Sequence, residues 1–392
     1  MLRFINTILQ VYFTYSVVYT ATFSVASRFH RSRLSSQTKK RHRIAILIPV
    51  YRDDAVILQS VNYVQHQRYP ADYYQVFVVA DSLQPDTITQ LRTMNAEVIE
   101  VAFDKRTKAK SVAEGLRRIE QEREYDLTVI LDADNVMDKN FLMHINRAYA
   151  SGQVAIQGQR MAKNNNSPVA ILDGLSEALN NAIFRKGYQA LGLSVPVIGS
   201  GMAFDTQLLA SVFQQMDLAS KGEDRELQLE IIRRRHHIQY LEEAVVYDEK
   251  VATDQAFGHQ RKRWILNQFQ YLYKSFPTAV SQLAKGNVSY FNIAFLAPVQ
   301  LPRLLNAGAL AGWTMLQWAT QQKATYATTL AAVYFVSLGL AIPQSYFRKS
   351  TLNALATLPR TFGTMSVSLL TARQASKQFL HTAHSAEHEI NL

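Results

Sequence analysis

Two carboxylates one residue apart at the end of an apolar run, Asp132-Ala133-Asp134, are the residues whose types and spacing first suggest chemistry. At a strand end such a pair presents oxygen ligands to a hard divalent cation, which in turn holds phosphate oxygens. Alone the triplet is a weak signal, because acidic residues after strands commonly cap helices or meet solvent. Four further elements stand with it. Lys108-Ala109-Lys110 opens a helical stretch through Gly115 and can bring a cation to a phosphate. Gly199-Ser200-Gly201 is a small turn that lets a bulky ligand approach the backbone. Gly222-Glu223-Asp224 begins a helical run, where capping is the plain alternative to a chemical role. Gln260-Arg261-Lys262-Arg263-Trp264 gathers an amide, cations and an indole, and reads equally as a basic-aromatic stretch at a membrane interface.

The elements that must position these residues read as α/β. Ile44–Ile48 is a continuous apolar run ending at Pro49, as expected of a buried parallel strand, and Val76–Val79, Glu97–Val101 and Leu127–Leu131 repeat it. Helical stretches Ala55–His66, Asp86–Met94 and Lys110–Glu122 separate them. Such alternation implies a parallel sheet with right-handed crossovers and a ligand site beyond the carboxyl ends of the strands. Pro49 to Tyr51, Asp81 and Asp132 to Asp134 then meet on one edge by topology alone.

The chain of 392 residues suits a catalytic domain with appendages, and 48% hydrophobic with 19% charged residues excludes a disordered or fibrous protein. It has no cysteine, which rules out disulfides, zinc-thiolate sites and cysteine nucleophiles. A formal charge of +11 fits nucleic acid, anionic lipid or a phosphorylated substrate. Much of it, Arg28, Arg31, Arg33, Lys39, Lys40, Arg41 and Arg43, directly follows the apolar stretch Phe4–Ala26. That placement favours a membrane surface, and no nucleic-acid motif supports the other reading. The stretch has the ~20 residues a bilayer needs, although Asn6 and Gln10 leave an amphipathic surface helix open. Positive charge inside would put residue 28 onward in the cytoplasm. Leu304–Thr320 and Ala324–Phe347 read as a transmembrane hairpin, Tyr273–Gln300 and Thr351–Leu370 as interfacial. The mean hydropathy of −0.10 averages a polar middle with apolar ends.

Taken in order, these motifs resemble the family 2 glycosyltransferases, in the membrane branch holding cellulose, chitin and hyaluronan synthases and ceramide glucosyltransferase. The resemblance covers roughly residues 43 to 270 in the order D, DxD, (G/T)ED, QxxRW. It implies a GT-A type, Rossmann-like, mostly parallel sheet with transmembrane and interfacial helices at both ends. The expected domains are 1–30 as a transmembrane helix, 43–272 as the cytoplasmic catalytic domain, 273–372 as interfacial and transmembrane helices, and a 373–392 tail. Pro49, Tyr51 and Asp53 look like the family's P-x-Y-N-E strand end with Arg52 in place of asparagine. Asp81 looks like the aspartate that touches uridine, and Lys108 like the lysine near the diphosphate. By the same resemblance Asp132 helps hold the nucleotide-sugar and Asp134 coordinates Mg²⁺ or Mn²⁺. Asp224 is the general base, with Ser200, Glu223, Gln260, Arg263 and Trp264 on the acceptor and diphosphate side. Phe379, Thr382 and His384 resemble the gating loop of cellulose synthase.

The implied activity is inverting hexosyl transfer, which turns an α-linked, UDP-sugar donor into a β-linked product. A growing polysaccharide is the first expected acceptor and a glycolipid or lipid-linked sugar the second; an inactive membrane scaffold is the reading from another class. Expected partners are the donor, the acceptor, membrane lipids, and an oligomer or export proteins, at an inner or plasma membrane.

Overall fold

The computed structural model describes residues 2–31, 38–122, 124–220, 222–250, 254–359 and 363, with side chains left out for 254–263. Phe379, Thr382 and His384 lie outside the described residues, as does the whole of the expected 373–392 tail. Contacts divide the chain into two compact units. The described residues of Ser32–Asn164 and Ser194–Lys250 form one; those of Met1–Arg31, Asn165–Leu193 and Val251–Leu380 form the other. This division cuts across the expected 43–272 stretch, because the apolar segment after Asn165 packs with helices rather than with the sheet.

In the first unit, β1 (Ile44–Tyr51), β2 (Tyr74–Asp81), β3 (Glu97–Val101) and β4 (Leu127–Ile130) are parallel neighbours in the order β3-β2-β1-β4. Between them run α2 (Asp54–Gln65), α3 (Pro85–Thr93) and α4 (Lys108–Glu122). The inner strands β1, β2 and β4 are buried along most of their length and mainly apolar, while the edge strand β3 carries Glu97 and Glu100. Ile46, Ile48, Val78 and Val129 share one core with Ile57 and Val61 of α2. On the other face α4 crosses at Gly115, where a Cβ would stand 2.3 Å from Leu47 Cδ1. Each such side chain taken fully from water is worth ~1.5–3 kcal/mol.

The sheet then turns mixed. β5 (Val136–Met137), α5 (Phe141–Ala150), β6 (Ala155–Ala162), β7 (Met202–Asp205), α8 (Thr206–Phe213), α9 (Glu223–Arg233) and β8 (Gln239–Asp248) complete the unit. The full order is β3-β2-β1-β4-β7-β6-β8-β5, with β7 antiparallel to both β4 and β6, β6 parallel to β8, and β5 antiparallel to β8. The expected mostly parallel sheet therefore holds for its first half only, since β7 enters between β4 and β6 running the other way.

The second unit is helical. It contains α1 (Leu2–Ser27) and α6 (Pro168–Asn180), which passes through a π segment, Asn181–Gly187, into α7 (Tyr188–Ala190). Further on come α10 (Asp254–Ala284), α11 (Val288–Phe291), a π segment Asn292–Leu296, α12 (Ala297–Val299), α13 (Arg303–Ala319), α14 (Ala324–Ala341) and α15 (Lys349–Leu355). Phe13 and Val17 of α1 pack with Leu310, Trp313 and Tyr334. The polar residues that dilute α1 are paired: Trp313 Nε1 donates to Asn6 Oδ1 at 2.9 Å, Tyr12 to Asn306 Oδ1 at 3.1 Å, and Asn306 Nδ2 to Ser16 Oγ at 2.8 Å. At Gly187 a Cβ would meet the Phe23 carbonyl oxygen at 2.3 Å, so glycine lets α1 approach the π segment.

Among the described residues one helix, α14, is long and apolar enough to cross a membrane, and Val288–Val299 with Arg303–Ala319, bent by 56°, passes the same test as a pair. α1 has the length expected of a span but is not among them. α13 and α14 pack against each other where a transmembrane hairpin was expected. Of the two, only α14 by itself is long and apolar enough to cross a membrane, and it ends at Ala341, ahead of Pro343, and not at Phe347.

Candidate functional site

Three groups of side chains gather where strands of the sheet unit end. The first is at β1 and β2. Tyr51 ends β1, and Arg52 turns the chain in a left-handed conformation at φ 55° while its N–H donates to the Asp81 carbonyl at 3.2 Å. Asp81 ends β2 with its side chain only 3% exposed, accepts from Ser82 Oγ at 2.7 Å, and is paired with Arg106 Nε at 3.1 Å. The Arg106 and Arg52 guanidinium groups lie 5.0 and 5.2 Å from the Tyr51 ring centre. A planar heterocycle would find here an acceptor, donors and an aromatic face. Asp53 stands at the N-cap of α2 without a side-chain capping bond, its carbonyl accepting from Val56 and Ile57. Pro49 sits inside β1 opposite Val79, so it shapes the strand rather than the edge.

The second group joins β4, α4 and α9. Lys108, the first residue of α4, donates from Nζ to the Asp132 carboxylate and to the Gly199 carbonyl, the latter at 2.7 Å. The Asp132 N–H donates to Ser200 Oγ at 2.9 Å, and that fully buried hydroxyl donates to Asn135 Oδ1 at 2.5 Å. Gly199 has φ 82°, a conformation L side chains rarely adopt, and a Cβ there would stand 3.4 Å from Lys108 Nζ and 4.0 Å from Asp224 Oδ2. Glu223 and Asp224 open α9, and Asp224 Oδ1 accepts from the Arg225 N–H at 2.7 Å. Burial, and then the neighbouring Asp224 charge, push the Glu223 carboxyl up to about 7 against the pull of Lys108. Burial pushes the Lys108 ammonium down, but Asp132, Glu223 and Asp224 outweigh it and the net shift is upward. The cluster thus sets the Lys108 ammonium among three carboxyl groups, with burial opposing the charge on Glu223.

The third group centres on Asn135, whose Nδ2 donates to Asp134 Oδ1 at 3.1 Å and to Asp248 Oδ1 at 3.3 Å. Lys250 Nζ contacts Asp248 Oδ2 at 2.8 Å and Arg160 approaches it at 3.6 Å. Among the described residues no three carboxylates or imidazoles come together as a complete cage for a metal. A hard cation such as Mg²⁺ is commonly held by one or two carboxylates plus substrate phosphates and water, so Asp134 suits a cation that arrives with a diphosphate, whereas Asp248 is already paired with Lys250 and Arg160.

Asp81, Lys108, Asp132, Asp134, Ser200, Glu223 and Asp224 thus all belong to the sheet unit, and Lys108, Asp132, Ser200 and Asp224 share one network around Gly199. Gln260, Arg263 and Trp264 lie on α10 of the helical unit. Trp264 is exposed, and the side chains of the other two fall outside the described residues. Sequence reasoning missed Arg106, Asn135, Asp248 and Lys250. Asn135 directly follows the carboxylate triplet and was the one findable from spacing.

Among solved structures, the chain is similar to the mannosyltransferase PcManGT from Pyrobaculum calidifontis, held with GDP-Man and Mn²⁺. The TM-score is 0.52 at 16% identity, over 92% of this chain and 99% of that one, a likeness of fold. It is also similar to glucosyl-3-phosphoglycerate synthase from Mycobacterium tuberculosis, held with Mn²⁺, UDP and glucosyl-3-phosphoglycerate. There the TM-score is 0.38 at 14% identity, over 58% of this chain and 82% of that one, too low to argue from. No curated protein matches. Residues 42–267, more than half of the chain, match the family described as Glycosyltransferase like family 2, and to that family the chain belongs.

Proposed function

We propose that this protein is an inverting glycosyltransferase that works at a membrane, with its sheet unit on the cytoplasmic side, and takes a sugar from a nucleoside-diphosphate donor. The observation that carries the reading is the meeting of Lys108, Asp132 and Asp224 around Gly199, beyond the strand ends. Tyr51, Asp81 and Arg106 receive the base, and Lys108 faces the diphosphate. An acceptor hydroxyl is a poor nucleophile, so Asp224 takes its proton as the oxygen attacks the anomeric carbon. The bond from that carbon to the diphosphate breaks on the opposite side, which inverts the configuration and gives a β-linked product from an α-linked donor. Lys108 offsets the charge that grows on the leaving diphosphate. A Mg²⁺ or Mn²⁺ ion held by Asp134 would supply further positive charge to the same oxygens. Gln260, Arg263 and Trp264 are assigned to the acceptor and diphosphate side on the motif resemblance.

The resemblance favours UDP-sugars, and the GDP-Man held by the structural relative places GDP-sugars in the same panel. The test is turnover of labelled UDP- and GDP-sugars by membranes containing the protein, with products sized and extracted into organic solvent. Asp224→Asn should abolish transfer and leave donor binding intact. A folded Asp224→Asn protein that no longer binds donor contradicts the general-base role. A high-mass, water-soluble product identifies a polysaccharide synthase, and a small extractable one a glycolipid or lipid-linked transferase.

A further inference from the structure

The segment 193–201, which carries Gly199 and Ser200 into the site, is neither helix nor strand. Gly199 and Gly201 stand at φ 82° and 59°, and glycine imposes no shape of its own on a chain. Bonds from neighbouring elements fix this stretch, and most of them come from Gln157 on β6, whose side chain is fully buried. Its Oε1 accepts from the Ile198 N–H at 3.0 Å. Its Nε2 donates to the Ser200 and Gly201 carbonyls at 3.0 and 3.3 Å and to the Gly158 carbonyl at 3.0 Å. The Gly158 N–H adds a bond to the Gly201 carbonyl at 2.8 Å, and Gln228 on α9 accepts from the Val197 N–H at 3.1 Å. The same stretch meets the chemistry through two other atoms. The Gly199 carbonyl holds Lys108 Nζ, and Ser200 Oγ holds the Asp132 N–H.

We propose that Gln157 is a positioning residue for sugar transfer, setting Lys108 through the Gly199 carbonyl and Asp132 through Ser200. It rests on the glycosyltransferase reading above, in which Lys108 faces the diphosphate. The backbone from Ile198 to Gly201 asks one side chain for both an acceptor and a donor, and an amide supplies both without a charge. An apolar side chain of the same size would fill the core equally well. It would leave buried N–H and C=O groups unpaired, and such groups are costly unless they move to new partners. The atoms that would move flank the Gly199 carbonyl, because Ile198 and Ser200 lie on either side of it in the chain. Lys108 would keep its charge partner, Asp132, and lose the carbonyl that fixes its direction. The effect is therefore aimed at the diphosphate. The base, assigned to Tyr51, Asp81 and Arg106 at the ends of β1 and β2 and beyond β3, is spared.

The test is calorimetric binding of UDP, UMP, GDP and GMP to the full-length protein in detergent with Mg²⁺, beside its unfolding midpoint. Gln157→Met should lower affinity for the nucleoside diphosphate about tenfold, and for the matching monophosphate less than about twofold. A merely structural glutamine would weaken both alike, or lower the midpoint alone, and either result overturns the proposal. Lys108→Met should abolish the preference for diphosphate, and adding Gln157→Met to it should change that preference no further. Additive effects in the double variant overturn the route through Lys108. If Gln157→Met does not fold, Gln157→Glu takes its place. A neutral carboxylic acid, the form that burial favours, keeps one acceptor and one donor, and loss of its proton removes the donor. The diphosphate preference of this variant, relative to wild type, should hold near pH 6 and fall about tenfold by about pH 9. A ratio that stays flat with pH overturns the proposal. A folded protein that binds none of the four nucleotides, or a Lys108→Met protein with the wild-type preference, sinks the underlying reading instead.

Discussion

Replacing Glu223 by glutamine isolates the ionisation that the sheet unit tolerates least. Burial and Asp224 raise the folded-state pKa from the ordinary 4.5 to about 7. Below pH 4.5 both folded and unfolded chains keep the proton, and the group has no effect on stability. Between 4.5 and 7 the unfolded chain releases it while the folded chain holds it, so stability falls as pH rises. Above 7 the loss is complete, at about 3 kcal/mol from 1.36 kcal/mol per pH unit. Glu223→Gln has no proton to lose and should escape this penalty. Wild type and variant should therefore match near pH 4.5 and differ by up to about 3 kcal/mol at pH 8, with the variant more stable. For a unit of this size that is ~6–12 °C in unfolding midpoint. The assay is thermal unfolding of both proteins in one detergent across pH 4.5 to 8.5. Parallel pH profiles would refute the burial argument, and a wild type that gains stability with pH over this window would reverse its sign.

Other perturbations address other parts of the molecule. Asp134→Ala should remove the dependence of nucleotide binding on Mg²⁺ or Mn²⁺; titrations with and without metal that match wild type would reject it as a cation ligand. Gly187→Ala pushes a methyl into the Phe23 carbonyl and should cost ~1–3 kcal/mol by overpacking, seen as a lowered unfolding midpoint. An unchanged midpoint would mean that α1 does not pack against the π segment this closely.

The parallel half of the sheet was readable because its inner strands are buried, which makes Ile44–Ile48 apolar at every position and Leu127–Ile130 at all but the buried Thr128. β6 and β8 gave no such signal. Gln157 interrupts β6, yet it is fully buried and bonds the Ser200 carbonyl and the Ile198 N–H; Glu242 and Glu243 break β8 in the same way. The site divides similarly. Lys108, Asp132, Glu223 and Asp224 belong to motifs whose order could be read, and the fold brings them together. Arg106 and Asp248 are single residues in a loop and at a strand end, and nothing short of the folded chain shows that they face Asp81 and Asn135. In α1 the length of the helix was plain, but hydropathy counts Asn6, Tyr12 and Ser16 as dilution, where the structure uses them as contacts with α13.

Those contacts set a timetable for biogenesis. Trp313 lies 307 residues after Asn6, so α1 is synthesised well before the helix that pairs with its polar stripe. At 5–20 residues per second α1 waits ~15–60 s with its amide and hydroxyl stripe unmatched. A nascent helix in that state is open to mispairing until α13 arrives. Slowing synthesis between the two helices should therefore lower the yield of folded protein without altering the nucleotide chemistry of the molecules that fold.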